Sequence, residues 1–232
     1  IHTPIPTPIV SFANFPGGSP TPFATPLSPP FITDNLVPTD VTFEKNMIIS
    51  SPNRSGKTTI LKSVTLNIIF SQQLGCGFYN NATINPYTHI HSYLNIPDTS
   101  ERDSLFQAES RRCKEIIDII CNNGDKSRHF CIFDELYSGT NPEEATKAGT
   151  VFIDYLSKRS NVDFILTTHY FKICKQFRKS CKIDNYKMDV TVLENGEFLY
   201  KYRLHKGISK LKGAIRVLKD LNYPEEILKE LE

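Results

Sequence analysis

The stretch IISSPNRSGKTTILKSV, residues 48–64, runs from apolar and strand-like, through small and polar residues around Gly56-Lys57-Thr58, into a helix-like pattern. A loop of backbone N–H groups at a helix N-terminus is an anion site, because unpaired donors and the positive end of the helix dipole point the same way. Lys57 adds a mobile charge for the β- and γ-phosphates of a triphosphate, and the Thr58 hydroxyl adds an oxygen for Mg²⁺. The strict pattern G-x-x-x-x-G-K-[ST] fails at its first position, where Ser51 stands in place of Gly. A lone Gly-Lys-Thr is more often an ordinary helix start, so the preceding apolar strand (47–50) is what favours the phosphate reading. The following helix is expected over about 56–73, with apolar residues at Ile60, Leu61, Val64, Ile68 and Ile69.

Working outward, two more apolar runs share this logic. HFCIFDE (129–135) ends in Asp134-Glu135 and precedes a helix expected over about 143–158. Buried strands rarely end in adjacent carboxylates without a cation or partner, since burying unpaired charge is expensive. A nucleotide hydrolase needs such a pair, with one carboxylate (Asp134) near Mg²⁺ and the other (Glu135) beside the attacking water. VDFILTTH (162–169) ends in Thr167-Thr168-His169 and leads into a short helix. As the third strand end of one sheet, His169 is placed to reach a γ-phosphate. Three such strand-then-helix units specify an α/β fold with a largely parallel sheet and its site at the strands' C-terminal ends.

The rest of the chain is less regular. Ten of the fifteen prolines fall at or before Pro38, which excludes helix there and predicts a linker or a wrapped arm. The arm's Phe12, Phe15 and Phe23 favour docking over a free tail. Residues 74–99 read as irregular, a helix is expected over about 105–121, and KMDVTVLENGEFLYKYRL (187–204) alternates about Asn195-Gly196 as a hairpin. Two short helices, 214–221 and 225–231, are expected to finish the chain.

Composition narrows the classes. The 27 basic and 25 acidic residues leave a net charge of +2, so no global charge advertises a nucleic-acid partner. The six cysteines form no C-x-x-C pair and point to reduced thiols rather than a metal site or a disulfide scaffold. No apolar run is long enough to span a membrane and no signal peptide opens the sequence, so a soluble, intracellular protein is expected. Ile at position 1 rather than Met suggests a piece of something longer.

Together these segments resemble the ATPase domain of the MutS family of DNA mismatch-repair proteins, a branch of the ABC-type ATPases. The family's phosphate loop reads approximately T-G-P-N-M-G-G-K-[ST], and here stands SSPNRSGKT (50–58), with Ser51 and Ser55 replacing two glycines. Family S-T-F-x-x-E appears as SLFQAE (104–109), D-E-[IL]-G-R-G-T as DELYSGT (134–140) with Tyr137-Ser138 for Gly-Arg, and A-T-H-Y-F as TTHYF (167–171). The tail YRLHKGISKLKGAIRVLKDLNYPEEIL follows the family's closing pattern, departing at Lys210-Leu211-Lys212.

The resemblance covers about 31–232 and implies an ABC-type P-loop fold with antiparallel edge strands and a C-terminal helical pair. It implies ATP and Mg²⁺ as cofactors, with ATP contacts from Ser51, Pro52, Asn53, Arg54, Ser55, Gly56, Lys57, Thr58 and Thr59, and Mg²⁺ held by Thr58 and, through water, Asp134. Lys57, Glu135 and His169 become the catalytic candidates. It further implies a second MutS-type ATPase domain, identical or not, whose nucleotide Ser104 contacts in trans, and DNA bound by domains that do not fit into this chain. Phe31 falls where the family stacks an aromatic on adenine, although an anchor for the arm explains it equally; the second adenine neighbour aligns near Lys187. The chain then divides into an arm (1–30), an ATPase core (31–205) and a helical dimerisation extension (206–232). Two other readings stay open: an ATP-switched interaction module with little turnover, and another ABC-type or P-loop ATPase.

Overall fold

The computed structural model describes residues 10–13, 25–26, 39–94, 96, 104–124, 126–193 and 197–211, with isolated positions between 218 and 227. Phe31, the tip of the Asn195-Gly196 hairpin and most of the two expected C-terminal helices lie outside the described residues. Two pieces of the proline-rich segment, β1 (Val10–Ala13) and β2 (Thr25–Pro26), are extended, the latter as the Thr25-Pro26 step favours. β1 pairs in parallel with β3 (Thr39–Thr42), and β2 pairs in parallel with β5 (Cys76–Gly77).

β4 (Asn46–Ser50) is buried at every residue, the mark of a central strand covered on both faces. The loop after it feeds α1 (Lys57–Leu74), which stops at Gly75 in the left-handed conformation, its N–H returning to the Ser71 carbonyl. β6 (His89–Tyr93) follows, then α2 (Leu105–Asn122), opened by a capping box in which the Ser104 side chain accepts from the Gln107 N–H and Gln107 reciprocates. β7 (His129–Asp134) leads to α3 (Pro142–Ser157), whose start is fixed by Asn141 accepting from the Glu143 and Glu144 N–H groups and by proline in the first turn. β8 (Val162–Thr168), α4 (Phe171–Gln176), β9 (Ile183–Val192) and β10 (Phe198–Lys206) complete the order.

The six-stranded sheet runs β10-β9-β4-β8-β7-β6, parallel except for β10, which pairs antiparallel to β9. Alternation assigns its faces. Met47, Ile49, Phe130, Ile132 and Ile165 pack with α1, whereas Ile48, Phe133, Phe164 and Leu166 pack with α2, α3 and α4. Phe133 is fully buried and sits edge-on to Phe152 and Phe164, a burial worth about 1.5–3 kcal/mol for one such side chain.

The sheet departs from expectation at β6, inside the stretch read as irregular. HIHSY has no apolar run, yet it is the edge strand pairing β7 from His89 opposite His129 to Tyr93 opposite Phe133. Its inward polar residue is matched across the strands: Nε2 of His91 lies 3.0 Å from Nδ1 of His129, with the His89 ring stacked 4.8 Å from His129. Burial, with lesser repulsion from the neighbouring imidazoles and, at His91, from Arg112, pushes both His91 and His129 down to about 4. The expected hairpin is formed, β9 pairing antiparallel with β10, but of the expected antiparallel edge strands only β10 is one, since β9 enters the main sheet in parallel with β4.

Candidate functional site

β4, β8 and β7 are neighbours, so the segments leaving their C-terminal ends converge. Register aligns the ends: Ser50 lies opposite Thr168, and Asp134 opposite Thr167. Between them opens a cavity of about 480 Å³ at the start of α1. Gly56 occupies the N-cap of α1 at φ 92°, in the left-handed region that favours glycine, and no side chain caps the helix and no acidic residue sits in its first turn. An added Cβ would stand 3.0 Å from Cδ1 of Tyr202 on β10, a tight approach to which the tyrosine ring would have to yield by a few tenths of an ångström.

Lys57 is buried, its ammonium donating to the carbonyls of Ser51 (2.9 Å) and Pro52 (3.1 Å) and standing 4.0 Å from Oε1 of Glu135. Burial pulls its pKa below the usual lysine value, against the carboxylates of Glu135 and Asp134. Thr58 Oγ1 donates to Oδ2 of Asp134 at 2.8 Å, and Thr167 Oγ1 donates to Oδ1. His169, just beyond β8, places Nδ1 3.4 Å from Oε1 of Glu135. That contact is the main reason the Glu135 carboxyl lies below the usual carboxylate range; burial opposes it and Lys57 adds to it. β7 ends one residue earlier than its sequence suggests, because Glu135 turns out of the strand at φ 55° while its N–H still bonds the Thr167 carbonyl.

Lys57, Thr58, Asp134, Glu135 and His169 are thus brought together. Asn53 and Arg54 are exposed at the cavity rim and Thr59 lines it. The serines in the loop behave differently from each other. Ser55 Oγ donates to the Pro52 carbonyl at 2.8 Å, whereas Ser51 Oγ is buried without a hydrogen-bond partner. Neither is left-handed; Arg54, at φ 65°, carries the loop's unusual conformation instead. Ser104 is exposed at the cap of α2 and does not line the cavity, to which α2 contributes Leu105 and Glu109.

Three residues lacked a role in the sequence reading. Glu109 is 2% exposed and accepts from Ser138 N (3.0 Å), Ser138 Oγ (2.8 Å) and Gly139 N (3.1 Å). Tyr93 accepts from Tyr137 N at 3.2 Å. Tyr202, rather than the exposed Lys187, packs beside Gly56, presented from φ 54° at a register shift in β10. Position in the SLFQAE motif was the available signal for Glu109, and the head of the closing pattern YRLHKGIS that for Tyr202; nothing local marked Tyr93. A larger cavity, about 620 Å³, lies between α4 and the segment after β10, and none of the predicted site residues lines it. Among the described residues, no cluster of three or more His, Cys, Asp or Glu could hold a metal ion, and no helix is long and apolar enough to cross a membrane.

The arrangement is that of an α/β protein with a polar site at the C-terminal ends of a mostly parallel sheet, built around one uncapped helix start. The family model for MutS domain V matches residues 47–232, and the chain belongs to that family. It is 30% identical over 200 residues to the endonuclease MutS2 of Clostridium kluyveri, covering 84% of this chain and 24% of that protein. The endonuclease MutS2 of Clostridium tetani is 30% identical over 204 residues, 85% of this chain and 25% of the relative. The DNA mismatch repair protein MutS of Caldicellulosiruptor bescii is 27% identical over 206 residues, 85% and 23% respectively. The chain spans about a quarter of the length of these relatives.

Proposed function

We propose that this chain binds and hydrolyses Mg-ATP as an ABC-type P-loop domain, and that its nucleotide state controls a DNA clamp formed by other parts of a MutS-like protein. The observation that carries the reading is the convergence of Lys57, Glu135 and His169, with the Thr58–Asp134 pair, on the cavity at the start of α1. The uncapped N–H groups and the loop of residues 51–56 suit an anionic phosphate chain, and Lys57 would exchange its carbonyl contacts for phosphate oxygens. Hard-cation chemistry also fits: a hydroxyl and a carboxylate already 2.8 Å apart, with phosphate oxygens and water, are the donors Mg²⁺ accepts without an all-protein cage. Bound there, the cation would neutralise charge on the phosphates.

Phosphoryl transfer is mostly positioning and charge stabilisation. A carboxylate held below its usual range is a poor proton carrier and a good fixed acceptor, so Glu135 orients and polarises the attacking water. His169, in contact with Glu135, holds that carboxylate and reaches toward the γ-phosphate. Ser104, exposed rather than in the cavity of its own chain, serves the nucleotide of a second MutS-type domain, homologous or identical. Tyr202, packed beside Gly56, is the proposed second neighbour of the base, with Phe31 as its expected counterpart. The relatives' printed names support a repair role for the longer protein.

The test is ATP turnover at rising protein concentration, with Lys57→Ala and Ser104→Ala alongside. A specific rate that climbs with concentration and collapses in both variants supports composite sites. Turnover equal in parent and Lys57→Ala sinks the reading, and ATP binding without turnover moves the assignment to a nucleotide-switched interaction module.

A further inference from the structure

The turn after β7 is fastened to α2 rather than to its own strand. Glu109 takes all three donors that Ser138 and Gly139 offer, at 2.8–3.1 Å, and Tyr93 takes the Tyr137 N–H. Independently, the first turn of α2 lies directly on Gly139: a Cβ there would stand 2.6 Å from the Phe106 nitrogen and 2.8 Å from Leu105 Cβ. The same turn of α2 begins at Ser104. At the other end of the loop, Glu135 and Tyr137 both hold left-handed backbone, a conformation that persists in non-glycine residues only when surroundings over-determine it.

We propose that Glu109 is the positioning residue that keeps the Glu135 turn in register with the Ser104 end of α2, so that what Ser104 contacts sets where Glu135 stands. This rests on the reading of the site given above. Ser104 bears on a nucleotide held by a second domain, and Glu135 acts on the nucleotide of its own. The buried Glu109 carboxylate is therefore the joint through which occupancy of one composite site adjusts hydrolysis in the other. Its effect is on kcat more than on ATP affinity, because Glu109, although it borders the cavity, commits both carboxylate oxygens to Ser138 and Gly139.

The experiment measures steady-state hydrolysis and affinity for a fluorescent ATP analogue in the parent, Glu109→Gln, Ser138→Ala, Glu135→Gln and the Glu109→Gln/Glu135→Gln double variant, with amide exchange at Ser138 and Gly139. Misplacement on the order of an ångström costs up to about a hundredfold in rate. Glu109→Gln is expected to lower kcat by about ten- to a hundredfold, leave KM within about threefold, and speed exchange of both amides at least about tenfold. Added to Glu135→Gln it should lower the rate no further, since residues acting as one unit are not additive. A merely structural Glu109 would instead lower affinity in both backgrounds, which would overturn the proposal, as would unchanged kcat beside an active parent. Should Glu109→Gln not fold, Ser138→Ala decides: an unaltered kcat refutes the joint. A parent with no turnover above Lys57→Ala removes the catalytic half together with the proposed function, a result the exchange data keep distinct.

Discussion

Acid should loosen this fold at the β6–β7 edge before it reaches the strand-end site. His91 and His129 face each other at 3.0 Å, 4% and 0% exposed, and Nε2 of His129 is buried without a hydrogen-bond partner. Groups bearing on the pair are the His89 ring and the Arg112 guanidinium of α2, all unfavourable to added positive charge. With folded values near 4 against 6.5 in the unfolded chain, protons bind the unfolded state first, so stability is full above about pH 6.5 and is lost as pH falls toward 4. Between neutral pH and pH 5 each histidine removes about 2 kcal/mol, so the pair removes up to about 4 kcal/mol from a total on the order of 5–15. At this chain length that is a fall in Tm of about 8–16 °C. The assay is thermal unfolding at pH 7 and pH 5 for the parent and for His91→Gln/His129→Asn, whose amides keep the nitrogen positions without the charge. Comparing slopes cancels carboxylates such as Asp163, whose pKa burial raises and which acts in the opposite sense. A parent Tm that is flat over this window, or a double variant as acid-labile as the parent, would refute the reasoning.

Other outcomes follow from the site. Glu135→Gln should bind ATP at parental affinity and lose about 10²–10⁴-fold in turnover, measured by single-turnover hydrolysis beside equilibrium binding. Gly139→Ala should lower Tm and kcat together, because overpacking against the α2 backbone costs about 1–3 kcal/mol against about 0.4–1 kcal/mol gained in the unfolded chain; a raised Tm would contradict the close approach. Asp134→Asn should raise the Mg²⁺ concentration needed for half-maximal turnover while leaving Mg²⁺-free nucleotide binding nearly unchanged, checked by titrating the metal at fixed ATP.

What the sequence made legible follows the physics of each element. β4, β7 and β8 announce themselves because central parallel strands are apolar throughout and end abruptly in polar residues, as Ile48-Ile49 and Phe130–Phe133 do before Ser51 and Asp134. β6 does not, since its buried positions are filled by His91 and Tyr93, and a histidine made acceptable by a partner on another strand carries no local signal. Glu109 reads as one more helix acid, and only the fold shows that it faces inward to three donors. Tyr202 sits in an alternating strand whose register shift re-aims it, a feature that periodicity alone does not give.

The departures from the family pattern in the two loops differ in what they ask of the backbone. Serine at 51 and 55 is compatible with the backbone of the loop after β4 because neither position is left-handed; the left-handed non-glycine residue there is Arg54, which is exposed. At 137, where the family has glycine, the backbone does demand φ 58°, and a tyrosine there costs on the order of 1 kcal/mol or more. Tyr137 offsets that strain by burying its ring 5.7 Å from Phe106 and 6.3 Å from Phe152. Phe106 belongs to the first turn of α2, so the substitution that strains the Glu135 turn also adds an apolar contact between that turn and the helix capped by Ser104. Removing the strain by Tyr137→Gly would therefore remove part of the joint as well, and the two effects act on different observables: backbone relief on stability, lost contact on the dependence of turnover on Ser104.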